Sequence, residues 1–368
     1  SFDRMYNAVA VGPKSAGSDP GPACYDRGGM NPTVTDADLV LGYLDADNYA
    51  GGSIPLNPKR SMFAIEETLC DDLDVEPIAA ALLVKEKVDS NMANGVNTEL
   101  RVRGYDPEDF TMLAYGGNGP LHCCGIASKL KINKILATPF SSVFSAVGAG
   151  NMHQMHIHET SLFMVLYDST SRMVFDNYPR FNDLVIELSK RGQADLVRQG
   201  SPLSDIKHSL ELDMRYGNQL VQTTVVVPKH SLESVMDVMN ILDQFSSDYG
   251  KRFGEGSQAP EAGIRINTIR VASYVEHDTV KFDHIKPIAQ NKRIAPPAPT
   301  TTRKCYFVGD GKAVETPVWN KIDIPPGTEI DGPGLVSSEV STYLIEPGWK
   351  YVSAEQGAVW FLREEDKN

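Results

Sequence analysis

Hydrophobic positions along this chain switch between a helical period and strict alternation, and each switch marks an element. Residues 58–70 (PKRSMFAIEETLC) predict a short helix opened by Pro58. Over 76–103, the residues Ile78, Leu82, Val88, Met92, Val96 and Leu100 approximate one stripe of a long helix, with Gly104 placed to end it. The period then changes. FTMLAY at 110–115 predicts a buried strand, GGNGP a tight loop, and 120–130 a helix with Pro120 in its first turn. A second strand at 134–138 completes a βαβ unit, which implies a parallel pair. A short helix follows over 143–150.

Strand character resumes at 153–166, and a helix spans 174–199 despite Pro179. The runs 206–215 and 219–227 predict a hairpin turning at Tyr216-Gly217-Asn218, and Ser231 is placed to cap another helix. Residues 264–282 alternate apolar and polar side chains, as a long half-buried strand does. APPAPTTT at 295–302 reads as an extended linker, and short β-branched runs divided by PPG, DGPG and EPGW follow it. These shifts divide the chain into 1–150, 151–295 and 296–368: an α/β segment, an α+β region and a small β-rich C-terminal module. The start is unusual, because a Gly- and Pro-rich loop fills 12–36 with little periodic sequence before it. It is either a surface loop with a ragged terminus or the middle of a domain completed by another polypeptide.

Charge narrows the function. Among 368 residues, 48 are acidic and 35 basic, a formal net charge of −13. That field repels nucleic acid and anionic membrane, so neither is expected as a partner. No apolar run reaches the length of a membrane span, and the N-terminal sequence lacks a signal peptide's plan. Five irregularly spaced cysteines do not make a disulfide framework, which points to a reducing cytoplasm.

Four groups of residues could carry chemistry. In the loop Gly116-Gly117-Asn118-Gly119, glycines let backbone approach a ligand, and the helix that follows offers unpaired N–H groups. The spacing is neither a Walker A loop nor GxGxxG, and it suits a structural βα turn as well as a nucleotide contact. His153, His156 and His158 form the one histidine cluster; on a strand, His156 and His158 share a face, as two metal ligands would, or as an ordinary polar strand edge does. Neighbouring Cys123 and Cys124 diverge on a helix and read as packing residues rather than a redox pair. Asp19, Asp26, Arg27, Asp36 and Asp38 crowd the first loop, where they could meet a ligand or simply form turns. No catalytic residue is readable from spacing.

Several blocks, in order, carry a resemblance: VGPKSAGSDPGPACYDRGGMNPTVTDADLVLGYLD, RGYDPEDFTMLAYGGNGPLHCCGIA, SSVFSAVGAG, LDMRYGNQLVQ and IDGPGLVSSEVSTYLIEPGW. The chain resembles the C-terminal half of the hydantoinase A/5-oxoprolinase/acetone carboxylase family, and most of all a subunit of the acetophenone carboxylase type. The resemblance implies part of an actin-like (RNase H-like, sugar kinase-like) ATPase core. It assigns Gly116, Gly117, Asn118 and Gly119 to the adenosine loop, with Asn118 standing where the family usually has a small alanine.

The two phosphate-binding turns of the family lie upstream of the SAG-x-x-PGP block and are not in this sequence. The resemblance therefore implies a partner subunit that brings them, together with ATP and a Mg2+ or Mn2+ ion held mainly by that partner. It implies a cytoplasmic, multi-subunit, ATP-dependent ligase joining bicarbonate to a ketone, acetophenone by preference to give benzoylacetate, through phosphorylated intermediates. Two other expectations stand beside it: a subunit that hydrolyses cyclic amides, as hydantoinases and 5-oxoprolinases do, and a non-catalytic scaffold that holds other carboxylase subunits.

Overall fold

A computed structural model describes residues 1–279, 281, 285–309 and 311–363. The chain divides into two compact units, Ser1–Gly148 with Lys281–Asn368, and Ala149–Val280. The first opens on a small hairpin, β1 (Phe2–Asp3) and β2 (Ala8–Val9). Helix α1 (Val34–Val40) follows, then α2 (Pro58–Ile65), which runs through a π-turn (Glu66–Cys70) into α3 (Asp71–Leu73). The long helix α4 (Pro77–Val102) leads to β3 (Met112–Ala114), α5 (Gly119–Leu130), β4 (Lys134–Ala137) and α6 (Phe144–Gly150). The expected βαβ unit is present, with β3 and β4 parallel.

The second unit lays two helices on one antiparallel sheet. Its elements are β5 (Gln154–Asp168), β6 (Met173–Val174), α7 (Tyr178–Arg198), β7 (Ile206–Tyr216), β8 (Thr223–Val227), α8 (Val235–Phe253) and β9 (Ile264–Val275), in the sheet order β6-β5-β9-β7-β8. Pro179 sits in the first turn of α7, where its missing N–H costs nothing. The core of this unit joins Phe181, Val185 and Leu188 of α7 and Val238, Ile241 and Phe245 of α8 to Leu210, Leu212, Ile269 and Val271. The strand expected over 264–282 ends at Val275; Val280 and Phe282 lie outside the described residues.

The chain then returns to the first unit with β10 (Thr301–Tyr306), β11 (Ala313–Asn320), β12 (Glu329–Asp331), β13 (Gly334–Ser337), β14 (Thr342–Ile345), β15 (Trp349–Ser353) and β16 (Val359–Arg363). One sheet, β10-β11-β13-β14, is built from this segment alone. The other, β12-β15-β16-β4-β3, joins it to the βαβ unit through β16 and β4, with Phe361 opposite Ile135. The segment expected as a module of its own thus completes the sheet begun by β3 and β4, because the outer edge of β4 and its buried Ile135 and Ala137 need a partner strand.

Candidate functional site

The loop between β3 and α5 is held from within and open from without. Gly116 takes a left-handed φ of 86° and its N–H donates to the Ser141 carbonyl at 2.6 Å. The Asn118 carbonyl accepts from the N–H groups of Leu121 (3.1 Å) and His122 (3.3 Å), which starts the helix. Gly117 and Asn118 are exposed, and among the described residues neither N–H has an intramolecular acceptor. Gly116 is a glycine the turn requires. Gly117 is not: its φ is not left-handed, and an added Cβ would meet nothing nearer than the Val340 carbonyl at 3.7 Å. Tyr115, Phe140, Val143 and Val340 are exposed; the Tyr115 ring lies 5.6 Å from that of Phe144, and the Val340 carbonyl lies beside Gly117. A loop of this kind can offer its free N–H groups to the polar edge of a ligand. Val340, from the turn between β13 and β14, is a neighbour that spacing could not reveal.

Behind the loop lies a buried charged network that the sequence reading missed. His122, on the first turn of α5, is 4% exposed. Its Nδ1 is 2.9 Å from Asp89 Oδ1 of α4 and its Nε2 is 3.3 Å from Asp38 Oδ2 of α1. Lys85, one helical turn before Asp89, donates to that carboxylate and, at 3.1 Å, to Glu346 Oε1 just beyond β14. Asp38 is fully buried, and no donor is aligned as a hydrogen bond on either of its oxygens, so the imidazole beside it is its compensation. Burial pulls the His122 pKa down, but the charge of Asp38 close to Nε2 and the hydrogen bond to Asp89 overturn this and raise it to about 9. Burial likewise works against the Lys85 ammonium, while Glu346 and Asp89 raise its pKa above the usual lysine value. Gly125 is what lets Asp89 reach this position, since a Cβ there would collide with the Asp89 carboxylate.

In the first loop, Asp36 is a folding residue. Its Oδ1 accepts from the Cys24 N–H (2.7 Å) and Ser61 Oγ (2.7 Å), its Oδ2 from Ala23 N–H (3.1 Å), Thr33 N–H (2.8 Å) and Thr33 Oγ1 (2.8 Å). With every lone pair engaged, nothing is left for a ligand. Asp26 pairs with Arg60 at 3.4 Å and accepts from Asn57 at 3.1 Å, while Asp19 is exposed.

The three histidines of β5 separate. His156 and His158 share a face, as the strand spacing predicts, and both approach Asp195 of α7, at 3.9 and 2.8 Å. His153 stacks on Tyr274 with ring centroids 6.0 Å apart, and its Nδ1 accepts from the His277 N–H. Arg198 also donates to Asp195, whose pKa is lowered first by the His158 hydrogen bond. Among the described residues no three His, Cys, Asp or Glu side chains are placed to hold a metal ion. This cluster ties a helix to a sheet.

Cys123 and Cys124 are buried and free, their thiols donating to the Pro120 and Leu344 carbonyls, and burial above all pushes the Cys124 pKa up. They serve packing. No helix among the described residues is long and apolar enough to cross a membrane.

Comparison with known proteins fits this geometry. The hydantoinase/oxoprolinase profile matches residues 3–158, and the hydantoinase/oxoprolinase C-terminal domain profile matches 173–357. The chain is 34% identical to the acetophenone carboxylase gamma subunit of Aromatoleum aromaticum over 94% of its own length and 46% of that protein. It superposes on an ATP-dependent caprolactamase from Pseudomonas jessenii with a TM-score of 0.79 at 25% identity, covering 99% of this chain and 51% of that one. For a nucleotide-free acetone carboxylase structure the TM-score is 0.73 at 24% identity, with the same coverage of 99% and 51%. The chain thus spans about half the length of the relatives it matches. The fold is the mixed α/β, actin-like ATPase fold of these neighbours, as expected.

Proposed function

The chain belongs to the hydantoinase/oxoprolinase family, and from that premise we propose that it forms part of a multi-subunit ATP-dependent ketone carboxylase, with residues 116–119 as its nucleotide-contacting loop. The observation that carries the nucleotide reading is Gly117. A glycine that neither turn geometry nor packing demands, beside two unpaired N–H groups at a helix start, suits the close approach of a ligand. Likeness to the acetophenone carboxylase gamma subunit supports a ketone as substrate and bicarbonate as co-substrate, with acetophenone, giving benzoylacetate, the preferred case.

ATP supplies the driving force when bound, by making phosphorylated, activated forms of its substrates. This chain's part would be to hold the adenosine end: free N–H groups at residues 117 and 118, an exposed Tyr115 beside them, and a helix fixed from behind by the His122 network. The loop 116–119 carries no acidic side chain, so on this proposal the Mg2+ or Mn2+ would travel with the nucleotide's phosphates and not be held by this loop. A cytoplasmic complex is part of the same reading.

The test is Gly117→Val in the assembled complex. Because a Cβ at 117 meets only ordinary contact distances within the chain, assembly should be retained while ATP turnover falls about tenfold or more. Unchanged turnover in an intact complex would remove the loop from the site and favour a scaffold role. Incorporation of labelled bicarbonate into a β-keto acid selects the carboxylase. The likeness to an ATP-dependent caprolactamase supports a second reading, cyclic-amide hydrolysis, which ring opening without bicarbonate uptake would select.

A further inference from the structure

Both nitrogens of His122 face a carboxylate, Asp89 at 2.9 Å and Asp38 at 3.3 Å. A neutral imidazole carries one N–H and can donate to only one of them. Asp38 and Asp89 come from different helices, α1 and α4, and His122 is the third residue after Gly119, so one ring joins two helices to the turn that shapes the glycine loop.

We propose that His122 is carried as an imidazolium clamped between Asp38 and Asp89, and that this clamp makes it a positioning residue for the nucleotide loop. The positioning half rests on the nucleotide reading above; the charge state does not. The groups facing the ring and its partners are Asp38 from α1, Tyr43 and Tyr49 after it, Lys85 and Asp89 from α4, and Glu346 beyond β14. Lys85 neutralises the far side of Asp89 and is shared with Glu346, which leaves Asp38 dependent on His122. The partners are therefore unequal. Removing Asp38's charge leaves a ring that can still donate to Asp89, whereas removing the ring strands Asp38 in the interior. The sign of the pH dependence follows. With a folded pKa raised to about 9, the clamp is complete below the ordinary histidine range and is lost as pH rises through about 9.

The experiment uses the complex with native partners and a fluorescent ATP analogue as probe, titrated between pH 6 and 10, for the wild type, Asp38→Asn, His122→Gln and the double variant. In the wild type, affinity should hold at neutral pH and fall through about 9. Asp38→Asn should move that fall down toward the ordinary histidine value of about 6.5. His122→Gln should lose about tenfold in affinity or more at pH 7, and the double variant should recover most of it, because a neutral amide in place of the carboxylate no longer leaves a charge stranded. Histidine Cε1–Hε1 NMR, assigned by the His122→Gln difference, should show a protonated ring at pH 7.5.

A neutral His122 ring at that pH would overturn the proposal, as would a pH profile that Asp38→Asn does not move or a double variant no better than His122→Gln. If the wild type binds no probe while the ring is protonated, the positioning role falls with the nucleotide reading and the assigned charge state stands.

Discussion

Asp36 and Asp38 lie two positions apart on α1, both fully buried, and their surroundings are opposite. Five donors converge on Asp36, so its charge is spread over a polar nest that shapes the Pro22–Tyr25 turn and the start of α1. Among the described residues, the ion-pair partner of Asp38 is His122. Asp36→Asn would turn an NH2 toward at least one N–H and leave buried donors unmatched, a loss of about 3 kcal/mol or more in urea unfolding. A loss below about 1 kcal/mol would mean that the nest is not what holds the loop. In the sequence both aspartates read alike, as acidic residues beside a turn. The sequence leaves them in the first loop, whereas the structure sets both on α1; spacing cannot count donors from residues 23, 24, 33 and 61, nor foresee His122 arriving from α5.

At the scale of elements, the hydrophobic pattern located the helices better than their faces. The expected stripe of α4 included Met92 and Val96, and both are exposed. The face α4 buries is Ala80, Ala81, Val84, Lys85, Asp89 and Ala93, of which a hydrophobicity count assigns Lys85 and Asp89 to solvent. A paired lysine and aspartate can line an interior only where partners from other elements meet them, here His122 and Glu346, and no local window contains those.

The start of α8 shows the same limit at closer range. Spacing favours Ser231 as the cap, but Ser234 is the N-cap, with Asp237 returning the hydrogen bond to close a capping box. Ser234→Ala should cost about 1 kcal/mol in thermal unfolding and Ser231→Ala almost nothing, and equal effects would contradict the assignment. The Asp237 pKa is held down at about 2, first by the Glu233 N–H and next by Lys229. Its contribution is therefore present above the usual carboxylate range and disappears as pH falls through about 2.

At the scale of the whole molecule, the three-part division read from composition becomes two units, one of them discontinuous in sequence. The expected linker at 295–302 lies within the first unit and its last two residues open β10; that the strands beyond it return to pair with β4 was not legible, because strand pairing across most of the chain leaves no local signature. The glycine loop and its βαβ frame were legible because Gly, Pro and alternating apolar residues constrain backbone directly. A fragment of residues 149–279 has its own packed core and should unfold cooperatively by circular dichroism. A fragment of residues 1–295 lacks β16 and the Leu335 and Leu344 side chains of its core, and should be insoluble. A soluble, cooperative 1–295 would refute the sheet's dependence on its last strand.

That dependence also dictates an order of events during synthesis. Strand β4 leaves the ribosome with one neighbour, β3, and must wait while residues 138–358 are made before β16 can close its other side. Throughout that interval an apolar strand edge stands bare in a growing chain, while the 149–280 unit has everything it needs to fold on its own. Translation speed and chaperone supply should therefore govern the yield of this protein more than the final stability of its fold does.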